Sequence, residues 1–154
     1  CVHIKNGDGA GQLFLDNTRS SGNQYMVQIH RLGTRVGSIQ TSTTTTSYLT
    51  TSDYRVKENV DYEFNALERV AQLKPARFNF IKEPDLIVDG FLAHEVSPVV
   101  PQAVSGEKDA VDEEGNPDLQ GLDHSKLVPL LTKAIQEQQE QIEAMKKEIE
   151  ELKG

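Results

Sequence analysis

The chain has 154 residues, 16 Lys and Arg against 24 Asp and Glu, a formal net charge of −8, 36% hydrophobic and 6% aromatic residues, and no Trp. That length fits one compact domain, or a small domain with an extended appendage. An apolar fraction below the globular norm of roughly 45–50% argues against a single large core, so a partner chain is expected to supply part of the stability.

The charge is uneven: residues 1–51 sum to +2, 52–106 to −3 and 107–154 to −7. An acidic C-terminal third argues against nucleic acid as a partner, because phosphates select clustered Lys and Arg. No run of about 18 apolar residues is present to span a membrane. The opening CVHIKNGDGAGQ has neither the basic start nor the apolar stretch of a signal peptide, and a start on Cys rather than Met is expected of a piece of a longer protein. Cys1 is the only cysteine, which excludes an internal disulfide.

Residues 1–51 read as strands and turns. Gly7-Asp8-Gly9-Ala10-Gly11 is a turn cluster, followed by the apolar run Leu13-Phe14-Leu15 and a turn at Asp16-Asn17. Tyr25, Val27 and Ile29 alternate with Met26, Gln28 and His30 at strand periodicity, and Gly33 and Gly37 punctuate the next stretch. In TSTTTTSYLTTS, at 41–52, ten of twelve residues are Ser or Thr. Thr favours extended backbone, but the run offers too little apolar surface to fold alone. The segment is expected to be all-β and dependent on assembly.

From Asp61 the pattern changes. Phe64, Leu67, Val70 and Ala71 recur at helical spacing, and Lys74-Pro75 closes that helix. Phe78 and Phe80 alternate as a strand, Pro84-Asp85 marks a turn, and GFLAHEV at 90–96 reads as a buried strand entering a short helix ended by Pro98 or Pro101. Residues 105–124 are acidic, with three Gly and one Pro, and read as an exposed loop.

The C-terminus carries the strongest periodic signal. Val128, Leu131, Ile135, Gln138, Ile142, Met145, Ile149 and Leu152 follow each other at 3-4-3-4-3-4-3 spacing, an a/d heptad series whose narrow stripe predicts a multi-chain coiled coil. Val or Ile fills every a position. Glu148 at g and Lys153 at the following e suit a parallel interchain pair, and Pro129 must lie in the first helical turn. Heptads alone leave two chains against three undecided.

At the junction of the β-rich and helical parts stands Thr51-Ser52-Asp53-Tyr54-Arg55-Val56-Lys57-Glu58-Asn59-Val60. A Ser with a nearby Lys can act as nucleophile and general base if the Lys is desolvated enough to be neutral near pH 7. An offset of five, however, puts the two side chains on opposite faces of a strand and well apart around a helix. A turn between them, or a partner chain, has to bring them together.

SDYRVKENV resembles the Ser-Asp-x-Arg-x-Lys-x-Asn-hydrophobic signature of the self-cleaving intramolecular chaperone domains at the C-termini of phage tailspikes, endosialidases and neck appendage proteins. The same domain type is found in some eukaryotic membrane-tethered transcription factors. The resemblance covers about residues 47–154 and continues through ALERVAQLKPARFNF, through GFLAHEV with His94 where the family has Gln, and through VVPQAV and LDHSKLVPLLTKAIQEQ. It implies a homotrimer that guides three upstream chains into a triple β-helix or fibre and then cuts itself off. The bond cut would be Thr51–Ser52, with Ser52 as nucleophile and Lys57 as its general base. Asp53, Arg55 and Asn59 would support the motif, Asp53 and Arg55 by orienting the turn rather than reacting. In the family, the loop near 106–120 could be an arm that grips the cargo. The resemblance further implies synthesis in a host bacterial cytoplasm and a chaperone part absent from the mature virion.

Other chemistry has weaker grounds. His3, His30, His94 and His124 lack HExxH spacing and cysteine company, so no metal or cofactor is expected. The 7–11 glycines lack the strand-to-helix context of a phosphate loop, and Asp112-Glu113-Glu114-Gly115 fails calcium-loop spacing. The expected fold class is α+β: a small mixed domain with a long C-terminal coiled-coil helix, preceded by an all-β, triple β-helix end. The expected divisions are 1–51 as the end of the fibre, 52–124 as chaperone and autoprotease, and 125–154 as the coiled-coil helix. The expected partners are two further copies of the chain and its own upstream fibre, with neither nucleic acid nor membrane. The alternative is a trimerisation foot that keeps the motif and never cuts; a protease acting on other proteins ranks third, because the scissile bond sits beside its own nucleophile.

Overall fold

The computed structural model describes Leu15, Asp16, Thr18 and residues 22–154. The expected turn at 7–11, most of the apolar run at 13–15 and Asn17 of the following turn lie outside the described residues. The chain divides into two compact units, Cys1–Val60 and Asp61–Gly154.

In the first unit, β1 (Gln24–Arg31), β2 (Thr34–Thr41) and β3 (Thr46–Thr50) form an antiparallel sheet in the order β1-β2-β3. The alternation of Tyr25, Val27 and Ile29 does become a strand, with irregular register between Tyr25 and Val27 and between Ile29 and His30. Leu32 and Gly33 join β1 to β2 with φ of 49° and 79°. Positive φ at both central residues gives a hairpin turn whose twist matches that of the strands. Gly37 lies inside β2 rather than in a turn. A Cβ there would stand 3.0 Å from the Leu49 carbonyl oxygen, so the close approach of β3 requires glycine. The Ser/Thr run splits into the end of β2, a turn at 42–45 and β3. The Ser42 hydroxyl closes that turn by accepting from the N–H groups of Thr44 and Thr45. The described residues of this unit supply no second layer over the sheet, and Ser38 is their one buried side chain.

The second unit is mixed α and β. It comprises α1 (Leu67–Gln72), β4 (Ala76–Phe80), β5 (Glu83–Gly90), α2 (Ala93–Val96), the two-residue strands β6 (Val104–Ser105) and β7 (Gly121–Leu122), and α3 (Val128–Lys153). Its core is small: Ala66, Leu73, Val96, Val100, Ala103, Leu127, Leu130 and Ala134, with Val70, Phe91 and Leu122 packed at its edge. Ala66 and Leu73 at the two ends of α1, Val96 of α2, Val100 and Ala103 just after it, and Leu127, Leu130 and Ala134 at the start of α3 thus meet in one cluster, while the remaining turns of α3 extend beyond it.

Three local expectations are corrected. The first helix does not include Phe64. Its backbone starts at Leu67, where the Glu137 carboxylate of α3 accepts from the N–H groups of Ala66 (3.0 Å) and Leu67 (2.8 Å) and satisfies donors left orphaned at a helix start. Pro84-Asp85 is not the turn; Ile81-Lys82 turns the hairpin, and Pro84 sits near the start of β5, where a missing N–H is tolerated. The acidic stretch 105–124 is exposed as expected but not structureless. β6 pairs with β7, Val111 bridges Pro117, and the Asp112 carboxylate accepts from the N–H groups of Glu114 (2.9 Å) and Asn116 (2.8 Å), with Gly115 at φ 84°. An Asp that collects the amides of its own turn makes a tight, self-closed arm. Pro129 lies in the first turn of α3, where its missing N–H costs nothing.

Candidate active site

The motif begins where β3 ends. Thr51 is tied back to β2: its N–H donates to the Val36 carbonyl at 3.1 Å, and its hydroxyl donates to the Arg35 carbonyl at 2.8 Å. The peptide on the N-terminal side of Ser52 is thereby held by the sheet. Thr51 and Ser52, together with Arg35, Ser38 and Asp53, line a cavity of about 250 Å³.

After Ser52 the chain leaves extended geometry. Asp53 caps a single 3-10 turn, Tyr54–Val56, by accepting from the Arg55 N–H at 2.9 Å. The same carboxylate takes both arms of the Arg55 guanidinium, Nε to Oδ1 and Nη2 to Oδ2, each at 2.8 Å. This fork-to-fork pair is the geometry in which Arg and a carboxylate bind best. The side-chain hydrogen bonds from Arg55, and then its backbone N–H, hold the Asp53 carboxyl below its usual range and raise the Arg55 guanidinium in turn. Lys57 ends the turn, its N–H donating to the Tyr54 carbonyl at 3.1 Å.

The turn brings Lys57 Nζ to 2.8 Å from Ser52 Oγ. As an ammonium, Nζ donates to the hydroxyl; as a neutral amine it would accept the hydroxyl proton across the same distance. Both residues are exposed in the single chain. Asn59 follows at φ 52°, in the left-handed region that Asn tolerates better than other residues with a Cβ. Asp53 and Arg55 face each other rather than the Ser–Lys pair.

The predicted seam residues lie on α3. Val128, Leu131, Ile135, Ile142, Met145, Ile149 and Leu152 are all exposed, from 41% at Ile142 to 87% at Leu152, and Gln138 is exposed among them. The buried side chains of the same helix, Leu130 and Ala134, lie on the face turned to α1. α3 therefore has two apolar faces, one used within the chain and one open.

Residues 52–105 match the family Peptidase_S74, the chaperone of endosialidase. Over this segment the chain is similar to that family. The match starts at Ser52 and ends at Ser105, a shorter span than the resemblance at about 47–154. No curated protein matches the chain. Sequence reasoning missed two features of this segment and its surroundings. The anchoring of Thr51 by Arg35 and Val36 uses backbone carbonyls, which leave no signature in residue type. The Glu137 cap joins positions about 70 apart in the chain, and its only sequence trace is one more Glu in an acidic helix. Among the described residues no three His, Cys, Asp or Glu side chains gather as metal ligands, and no helix is long and apolar enough to cross a membrane.

Proposed function

We propose that the chain is a homotrimeric intramolecular chaperone that folds an upstream β-fibre and then releases itself by one cut between Thr51 and Ser52. The observation that carries this reading is the 2.8 Å approach of Lys57 Nζ to Ser52 Oγ at the first residue of the family match.

In the proposed reaction Ser52 Oγ attacks the Thr51 carbonyl carbon while Lys57, as the neutral amine, takes the hydroxyl proton. The ring that forms holds five atoms, the Thr51 carbon and the Ser52 N, Cα, Cβ and Oγ, so the reactants are already tethered and little entropy is lost. Cleavage of the C–N bond, with the proton returned from Lys57 to the departing nitrogen, leaves an ester between the Thr51 acyl group and Ser52 Oγ and a free amine on Ser52. Water then hydrolyses that ester to a Thr51 carboxylate and the Ser52 hydroxyl. Anchoring of Thr51 to β2 favours attack by restricting the carbonyl. Crowding by two further copies would strip water from Lys57 and favour its neutral form, so that cutting follows assembly.

The open a/d stripe of α3 supports assembly, because a narrow heptad seam is matched by copies of itself. On this reading the chain is made in a host bacterial cytoplasm and its chaperone part is lost from the mature virion. The rival reading, a trimerisation foot that never cuts, draws on the exposure of both Ser52 and Lys57 in the single chain.

Intact mass decides between them. Wild type should split between Thr51 and Ser52; Ser52→Ala should stay whole, and Lys57→Ala should slow the cut by about 10²–10⁴, the range for loss of a positioned base. Full-rate cutting in Lys57→Ala would sink the scheme. A wild-type chain that stays whole, even with more of the upstream fibre restored, favours the foot.

A further inference from the structure

The open stripe of α3 has one polar rung. We infer that Gln138 is the register key of the assembly: it allows neighbouring copies of α3 to align level with one another and penalises every slipped alignment. This rests on the homotrimer reading above and adds to it the residue that fixes the axial position of the three chains.

Apart from Gln138, the stripe is apolar at every a and d position from Val128 to Leu152. Sliding one helix by a heptad therefore exchanges Val for Ile at a, and Leu for Met at d, at little cost. Charges do not prevent it. In register, Glu148 at g meets Lys153 at e of the neighbour; after a one-heptad slip Lys146 takes that place, and the pair is attractive both times. Gln138 alone distinguishes the two. Level with its copies, each amide meets two other amides, and its donors and acceptors can be shared. Slipped, it faces Leu131 or Met145 and is buried with no partner, which costs the desolvation of an amide.

The chain leaves this residue free for the task. Gln138 is exposed and its side chain makes no hydrogen bond among the described residues, whereas its neighbour Gln139 is tied to Glu143 at 2.7 Å and Glu137 is committed to the start of α1 on another face of the helix. A one-heptad slip moves a helix by about 10 Å, the length of about three strand residues. Upstream strands are sensitive to a shift of one residue, because every side chain then changes face. A chaperone that starts three strands together needs this error excluded at the helix.

The test uses the full chain with a spin label at exposed Glu140→Cys in a Cys1→Ser background, read by pulsed dipolar spectroscopy, with the assembly state from sedimentation. Wild-type seams should give one interchain distance. Gln138→Leu should raise the thermal midpoint, since an apolar rung replaces a polar one, and add a longer distance from slipped helices. A trimeric Gln138→Leu that keeps the single distance overturns the register role and leaves the trimer standing. A wild type that sediments as a monomer overturns both.

Discussion

Lys57 meets Ser52 because the chain between them turns, and the turn exists because Asp53 has three donors to hold. An extended strand would send the two side chains to opposite faces. The 3-10 turn of Tyr54–Val56 removes that separation, and the cost of the tight geometry is offset by the Asp53 cap and its paired guanidinium. The left-handed backbone at Asn59 ends the same segment. Asn59→Gly is expected to fold and cut like wild type, because Gly carries no steric penalty at positive φ. Asn59→Val should lower stability by about 1–2 kcal/mol, measured by urea unfolding, and slow the cut in parallel. Equal stability of the Val and Gly variants would show that the φ of 52° is not imposing a cost. At this scale the residue types were legible: a hydroxyl, an amine and a pairing of opposite charges stand within six positions. The meeting itself was not, because a five-residue offset is compatible with several backbones.

At the scale of elements, α3 carries two apolar faces, one packed within the chain and one open. Leu130 and Ala134 close the small core with α1, and Glu137 on the same side caps the α1 start. Leu130 is 4% exposed, so Leu130→Ala should cost about 2–5 kcal/mol, the range for deleting a buried Leu side chain. Glu137 acts through charge instead. The N–H groups of Ala66, first, and Leu67 hold its carboxyl below the usual range. A carboxyl whose folded value is depressed contributes in full above its unfolded value, about 4.3 for Glu, and loses that contribution as pH falls through the lower folded value. Glu137→Gln should therefore unfold at a lower temperature than wild type at pH 7, with the gap closing towards pH 2. The Leu130→Ala deficit should persist across that range. A Glu137→Gln gap that is the same at pH 2 and pH 7 would remove the charge from the explanation. The long helix, its Pro129 start and the strand at Phe78 and Phe80 were readable from spacing. The α1 start was misread because Phe64 fits a helical spacing by chance, whereas the true boundary is set by a carboxylate on another element. Pro84 was misread because a proline near a strand start leaves the same trace in sequence as a turn.

For the whole molecule, the open apolar stripe of α3 is the feature with the largest consequence. Seven large apolar side chains lie exposed in one line, and burial of each would stabilise an assembly by about 1.5–3 kcal/mol. Ile142→Asp places a charge at an a position outside the core of the second unit. It should reduce the sedimenting species to a monomer while the far-ultraviolet circular dichroism at high protein concentration loses only the part that α3 gains from association. A variant that assembles like wild type would move the interface away from this stripe. If assembly also removes water from Lys57, the same substitution should suppress the cut.

Periodicity and residue chemistry, which need only neighbours along the chain, were enough for the α+β character, the heptad stripe, the acidic C-terminal third and the Ser–Lys motif with its family resemblance. Each depends on repeats of two or seven residues or on a short run of side-chain types, and such signals survive in one dimension. The tertiary structure decided the rest: that Lys57 reaches Ser52, that Thr51 is pinned to β2 from 16 positions away, and that α1 begins where Glu137, about 70 positions on, meets its amides. Those outcomes depend on backbone groups that every residue shares, so no pattern of side chains announces them. They appear only when the chain folds and a particular carbonyl or carboxylate comes within hydrogen-bonding distance.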